Sequence, residues 1–151
     1  RRHLRRLVGA LDALAPAGSW DAAGAVDHAS GLLRRRGLLV LLSDLYAHED
    51  AALAALRRAA LRGHDTALLQ LTSPEELTFP WRGALRFRDA ESGAERLVDA
   101  GEAAALHRAG LRAFHEHCAL QARRGGIDHH LVSVEEPPAQ ALRRFLLPRV
   151  R

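Results

Sequence analysis

The chain has 151 residues, 48% of them hydrophobic and 26% charged. That is one domain's worth of globular protein, and it excludes a disordered or fibrous chain. All 22 basic residues are arginine, set against 18 acidic ones, so the formal net charge is only +4 although the pI is about 10.7. No apolar run approaches the ~20 residues needed to cross a bilayer, and the N-terminus RRHLRRLVGALDALAPAG has no signal-peptide cleavage pattern. The one cysteine, Cys118, cannot form an internal disulfide, which suits a reducing compartment. A cytoplasmic location is therefore expected for this domain, whether or not a longer protein carries a membrane anchor. The chain starts at Arg1 and contains no methionine, so it is expected to be part of a longer protein.

Leu4, Leu7, Val8, Leu11 and Leu14 recur at helical spacing between arginines, predicting a helix over Arg2 to Ala15 that Pro16 to Ser19 closes. Ser19 or Asp21 can cap a second helix, whose inner positions Ala22, Val26, Ala29 and Leu33 run up to the basic stretch Arg34 to Arg36 and Gly37. LLVLLS (Leu38 to Ser43) is short, continuous and apolar, which predicts a strand buried on both faces and central in a parallel sheet. The alanine-rich segment Glu49 to Arg62 predicts a helix, and DTALLQLTS (Asp65 to Ser73) a second strand. A strand, helix, strand unit of this kind forms a right-handed parallel crossover.

From Pro74 to Ala100 the pattern alternates, with ESGA between Ala84 to Asp89 and Glu95 to Val98, predicting an inserted β-hairpin. A long helix, Glu102 to Arg124, is expected to face Leu106, Gly110, Leu111, Phe114, Cys118 and Ala122 inward and to end at Gly125-Gly126. Asp128 to Val134 reads as a strand. Pro137-Pro138 open a last helix carrying Leu142, Phe145 and Leu146.

Ligands of open parallel sheets bind beyond the carboxyl ends of the strands. Ser43-Asp44, Thr72-Ser73 and Glu135-Glu136 fall at such ends, an oxygen-rich rim of the kind that can hold Mg²⁺, although capping is the ordinary work of these residues. The sequence HEHC (His115 to Cys118) gathers metal-ligand types, but His115 and His117 lie about 200° apart on a helix and cannot serve one ion. His129 and His130 on a strand point to opposite faces. No G-x-S-x-G elbow supports Ser43 as a nucleophile with His48 or His64, and no phosphate loop or GxGxxG occurs, so no enzyme is expected and a hydrolase remains only an alternative. The arginine pairs and triplets are spread over five helices and read best as solvated faces. Nucleic-acid binding is the second alternative, one that only their convergence on one surface would favour.

The ordered pieces RRRGLLVLLSDL, PEELTFPWRGALRFRD and GIDHHLVSVEEP resemble the C-terminal part of a bacterial von Willebrand factor A (vWA)-like family, the domain of unknown function fifty-eight. The resemblance covers nearly the whole chain. It implies a single Rossmann-like, vWA-like three-layer α/β sandwich over residues 1–151, with a mostly parallel sheet, an inserted hairpin, and the first strands lying before Arg1. It also implies a protein-interaction module working with a MoxR-type AAA+ ATPase. In vWA domains a divalent cation sits at the strand-end rim, held by a D-x-S-x-S loop, a threonine and an aspartate from a third loop. Asp44 matches that aspartate, and Ser19 in GSWDAAGAV stands beside Trp20, which occupies the threonine position. The metal reading is thus Asp44 with Ser19, an incomplete set because no D-x-S-x-S occurs; Mg²⁺ or Mn²⁺ is expected in the full-length protein. A sheet without its first strands exposes an edge, so self-association is expected.

Overall fold

The computed structural model describes residues 2–15, 21–46, 49–89 and 92–149. Helix α1 is Arg2–Asp12, and α2 is Ala22–Leu32, capped by Asp21, whose carboxylate accepts from the Gly24 amide at 2.9 Å. Strand β1 is Leu38–Ser43, α3 is Glu49–Leu61 and β2 is Asp65–Thr72. Gly63, at φ +91°, adopts the left-handed turn that stops α3, a conformation costly for any side chain. There follow a short helix α4 (Pro74–Thr78), β3 (Ala84–Arg88), β4 (Glu95–Asp99), and α5 (Ala100–Arg124), which Asp99 caps through Gly101 and Glu102. Strand β5 (Asp128–Ser133), α6 (Pro138–Leu146) and a 3₁₀ turn (Leu147–Arg149) complete the order.

The result is a mixed α/β fold with a parallel sheet in the order β1-β2-β5 and a separate antiparallel hairpin, β3-β4. Side chains alternate across the sheet. Leu39 and Leu41 of β1 and Leu68 of β2 pack under α2, α3 and α5 with Val26, Leu53, Leu56, Cys118 and Ala122. On the opposite face Ala67, Leu69 and Val132 pack against Ala141 and Phe145 of α6. Three layers follow: helices, sheet, helix.

Three expectations change. Among the described strands the central one is β2, not β1, and β1 is not buried on both faces: Leu38 and Leu42, on the α6 side, are 43% and 59% exposed. A continuous apolar run reports hydrophobicity but not cover: the buried cluster against α6 draws on β2 and β5, and from β1 Val40 alone packs against it. On α5, Leu111, Phe114, Cys118 and Ala122 do face inward, whereas Leu106 is 78% exposed and Gly110 is also on the surface, because the first turns of the helix lie beyond the sheet. Of the three apolar positions expected on α6, Phe145 alone is buried, with Leu142 and Leu146 half exposed. The apolar stripe of α1 is likewise exposed at Leu4, Leu7, Val8, Leu11 and Leu14.

Candidate functional site

The carboxyl ends of the parallel strands form an open depression of about 440 Å³, lined by Leu42, Ser43, Asp44, Leu71, Thr72, Ser73, Glu76 and Val134. Its shape starts with a backbone irregularity. Leu45 sits at φ +67°, a region that a branched side chain enters at a cost of about 1–3 kcal/mol. Its side chain is buried in the core below, a gain of about 1.5–3 kcal/mol that offsets the strain. Turning Leu45 inward leaves Asp44 exposed at the surface. The Ser43 hydroxyl braces the turn by accepting from the Leu45 amide at 3.0 Å, and Asp44 accepts a longer bond from the Tyr46 amide at 3.4 Å.

At the end of β2, Ser73 and Glu76 form a reciprocal cap. The Ser73 hydroxyl accepts from the Glu76 amide at 3.1 Å, while the Glu76 carboxylate accepts from the Ser73 amide at 2.8 Å. The same carboxylate oxygen takes the Thr72 hydroxyl at 3.1 Å. Tyr46 lies near Glu76, and burial together with that negative carboxylate pushes the phenol up to about 12. Its ring stacks on Phe114 with centroids 5.3 Å apart. The Glu76 carboxylate is therefore committed to two donors, and Asp44, with one long bond from the Tyr46 amide, is the freer carboxylate of the depression.

At the end of β5, the Ser133 hydroxyl accepts from the Glu135 amide, and Glu136 pairs with Arg144 at 3.0 Å. Neither carboxylate lines the depression. Ser19 and Trp20 lie outside the described residues, as does His48. Mg²⁺ takes six oxygens in near-octahedral geometry. Among the described residues no three His, Cys, Asp or Glu side chains converge, and the rim offers one exposed, weakly engaged carboxylate, Asp44, beside the Ser43 hydroxyl. These residues alone do not fit a tight divalent-cation site.

The other sequence candidates separate in space. His117 pairs with Asp50 at 3.0 Å, while Cys118 is fully buried and its thiol is pushed up to about 11 by burial, so it stays protonated at neutral pH. His115 and His129 are both held below the ordinary histidine range, chiefly by burial. His129 Nε2 meets the Gln70 side-chain oxygen Oε1 at 2.8 Å on the α5 side of the sheet, whereas His130 packs edge-on against Phe145 on the other side, as their adjacency on a strand requires. His64 precedes the start of β2, at the opposite end of the sheet from Ser43, and does not join it.

Two rim residues escaped the sequence reading. Glu76 had a signal, the S-x-x-E capping pattern in Ser73-Pro74-Glu75-Glu76, with proline at the first helical position. Tyr46 had none, because its role depends on the Leu45 turn.

No curated protein matches the sequence. The chain is similar to the crystal structure of the conserved hypothetical protein BatB from Bacteroides thetaiotaomicron, at 14% identity and a TM-score of 0.44. That likeness covers 89% of this chain and 61% of BatB, so the chain spans about three-fifths of that protein's length. A family model matches residues 1–119, well over half of the chain, and the protein accordingly belongs to the family described as Protein of unknown function DUF58.

Proposed function

We propose that this domain is a vWA-type interaction module that docks a protein partner through its strand-end rim, the partner being a MoxR-type AAA+ ATPase. The observation that carries this reading is the Leu45 turn, which spends backbone strain to hold Asp44 in solvent, bonded among the described residues only to the Tyr46 amide at 3.4 Å, beside the exposed apolar side chains of Leu42 and Val134. An open depression with an apolar floor and one exposed carboxylate suits a protein surface better than a small molecule, which is ordinarily enclosed. Membership in the family supports the module reading. A dependence on Mg²⁺ or Mn²⁺ requires ligands beyond the described residues, so no step of docking is assigned to a cation.

The test is retention of the purified AAA+ ATPase from the same genome on immobilised domain and on the full-length protein. Wild type should retain it, and Asp44→Ala should weaken retention by about tenfold or more, as expected for a central polar contact. Equal retention by wild type and Asp44→Ala, or none by the full-length protein, would overturn the proposal. Among the described strands β1 lies at the sheet edge, and with exposed Leu38 and Leu42 this also supports self-association. Light scattering should find assemblies larger than the monomer, and a monodisperse monomer would count against it.

A further inference from the structure

We infer that the end of the sheet opposite the rim binds the phosphate backbone of a duplex nucleic acid. The parallel register brings this about. Leu38 pairs with Asp65 and Ala67 with Asp128, so the three strands start along one edge. The residues before each start therefore meet there: Arg34, Arg35 and Arg36 after α2, Arg57, Arg58 and Arg62 around the end of α3, and Arg123 and Arg124 at the end of α5. Clusters that are distant in sequence become one surface. Arg57 and Gly125 are packed closely enough that a Cβ on the glycine would lie 3.4 Å from the arginine Cβ, which joins the ends of α3 and α5. The Arg58–Asp27 pair, at 2.5 Å, joins α3 to α2.

The charges there do not cancel. Asp27, Asp65 and Asp128 are matched singly with Arg58, Arg36 and Arg149. Among the described residues, Arg34, Arg35, Arg57, Arg62, Arg123 and Arg124 have no carboxylate within ion-pair distance. The bland account is that arginines offset helix C-terminal dipoles, and α2, α3 and α5 all end here. Each such end is worth about half a negative charge, so three ends offset fewer than two of the six unmatched guanidinium groups. A surplus of about four positive charges remains.

Between the ends of α2 and α3 the surface opens into a cleft of about 600 Å³ whose lining includes Ser30, Arg34, Arg35, Arg62 and His64. The Nδ1 atom of His64 is buried without a hydrogen-bond partner among the described residues. The unmatched arginines span three connections instead of converging on one point, which suits a polymer with regularly spaced phosphates more than a single small anion. Among the described residues no exposed aromatic side chain accompanies them: Tyr46 follows the rim end of β1, and Trp81 and Phe87 belong to the hairpin region. Single-strand binders stack bases on aromatic rings, so a duplex contacted through its backbone is the matching ligand.

The test is fluorescence anisotropy with a short duplex of random sequence across a salt series, comparing wild type with the Arg34→Ala/Arg35→Ala double variant. Both side chains are exposed and have no ion pair among the described residues, and an unchanged circular dichroism spectrum checks the fold. Binding should weaken with salt, with log K falling by about 0.9 per phosphate neutralised. The double variant should show a slope shallower by about two and bind roughly 10- to 100-fold more weakly at low salt. Arg86→Ala, on the hairpin, should change neither. No duplex binding at the lowest salt, an unchanged slope in the double variant, or tighter binding of poly-glutamate than of duplex would each overturn the inference, the last by making the surface a dock for acidic protein.

Discussion

Where the parallel strands begin, three aspartates are matched with three arginines and further arginines are left over; where the strands finish, a glutamate is locked into a cap and an aspartate is left over. The strand starts are reached by helix-to-strand connections and the strand ends are left by strand-to-helix ones, and the difference comes from that direction. Helices in a parallel α/β fold run back against the strands, so their last turns, which favour basic residues, gather at the strand starts. Their first turns, which favour acidic and hydroxyl side chains, gather at the strand ends. Charge segregation follows from the chain path. What does not follow from it is the surplus at each end, and that surplus carries the two binding proposals.

The comparison is broken most completely by a change that removes the element joining both ends. Leu56 on α3 is fully buried between the sheet and the neighbouring helices. Leu56→Ala should cost about 2–5 kcal/mol in urea denaturation, and ATPase retention and duplex binding should be lost together at a lower urea concentration than in wild type. If one binding activity survived at full strength, that activity would not depend on the packed domain.

A smaller change separates the ends. Ser73→Ala removes the rim cap around Glu76 and should cost about 0.5–2 kcal/mol, read as a lowered urea midpoint. It should leave the salt dependence of duplex binding as in wild type, since nothing at the strand starts touches it.

Acid probes the layer between the two ends. His115, His129 and His130 all have pKa values held below the ordinary 6.5, mainly by burial. A histidine depressed in the folded state takes up protons more readily when unfolded, so its contribution is complete above about 6.5 and is lost as the pH falls from there through the folded value. The urea midpoint should therefore drop on acidification below pH 6.5, and His129→Gln should flatten that drop. A flat profile in wild type would contradict the buried placement of these rings.

The finest probe is at the rim. Tyr46 is the chain's one tyrosine, so phenolate absorbance reports it alone. Folded protein should titrate near 12, against 10 for an ordinary phenol, and Glu76→Gln should lower the midpoint by removing the neighbouring negative charge. A wild-type midpoint at 10 would separate Tyr46 from Glu76.

Much of this architecture was legible in the letters. LLVLLS is β1 residue for residue, Asp65 to Ser73 differs from β2 only at its last position, and the hairpin and the long helix lie where alternation and the closing glycines put them. Local signals sufficed because each element is bounded by a glycine, a proline or a cap. Strand order was less legible: β1 and β2 have similarly apolar sequences, and only the placement of α6 makes one the covered strand. Of the candidate site, Asp44 was readable as a strand-end carboxylate. The pairing of Tyr46 with Glu76 was not, because it rests on a left-handed leucine that periodicity does not announce. The arginine surface illustrates the same limit. Each cluster alone reads as a solvated helix end, and only the common register of three strands makes them neighbours.

The most direct measurement is retention of the AAA+ ATPase by three versions of the domain in parallel: wild type, Asp44→Ala, and Arg34→Ala/Arg35→Ala. Docking through the strand-end rim predicts that Asp44→Ala loses the ATPase while the double arginine variant keeps it at the wild-type level. Retention by Asp44→Ala, or loss confined to the arginine variant, would contradict it.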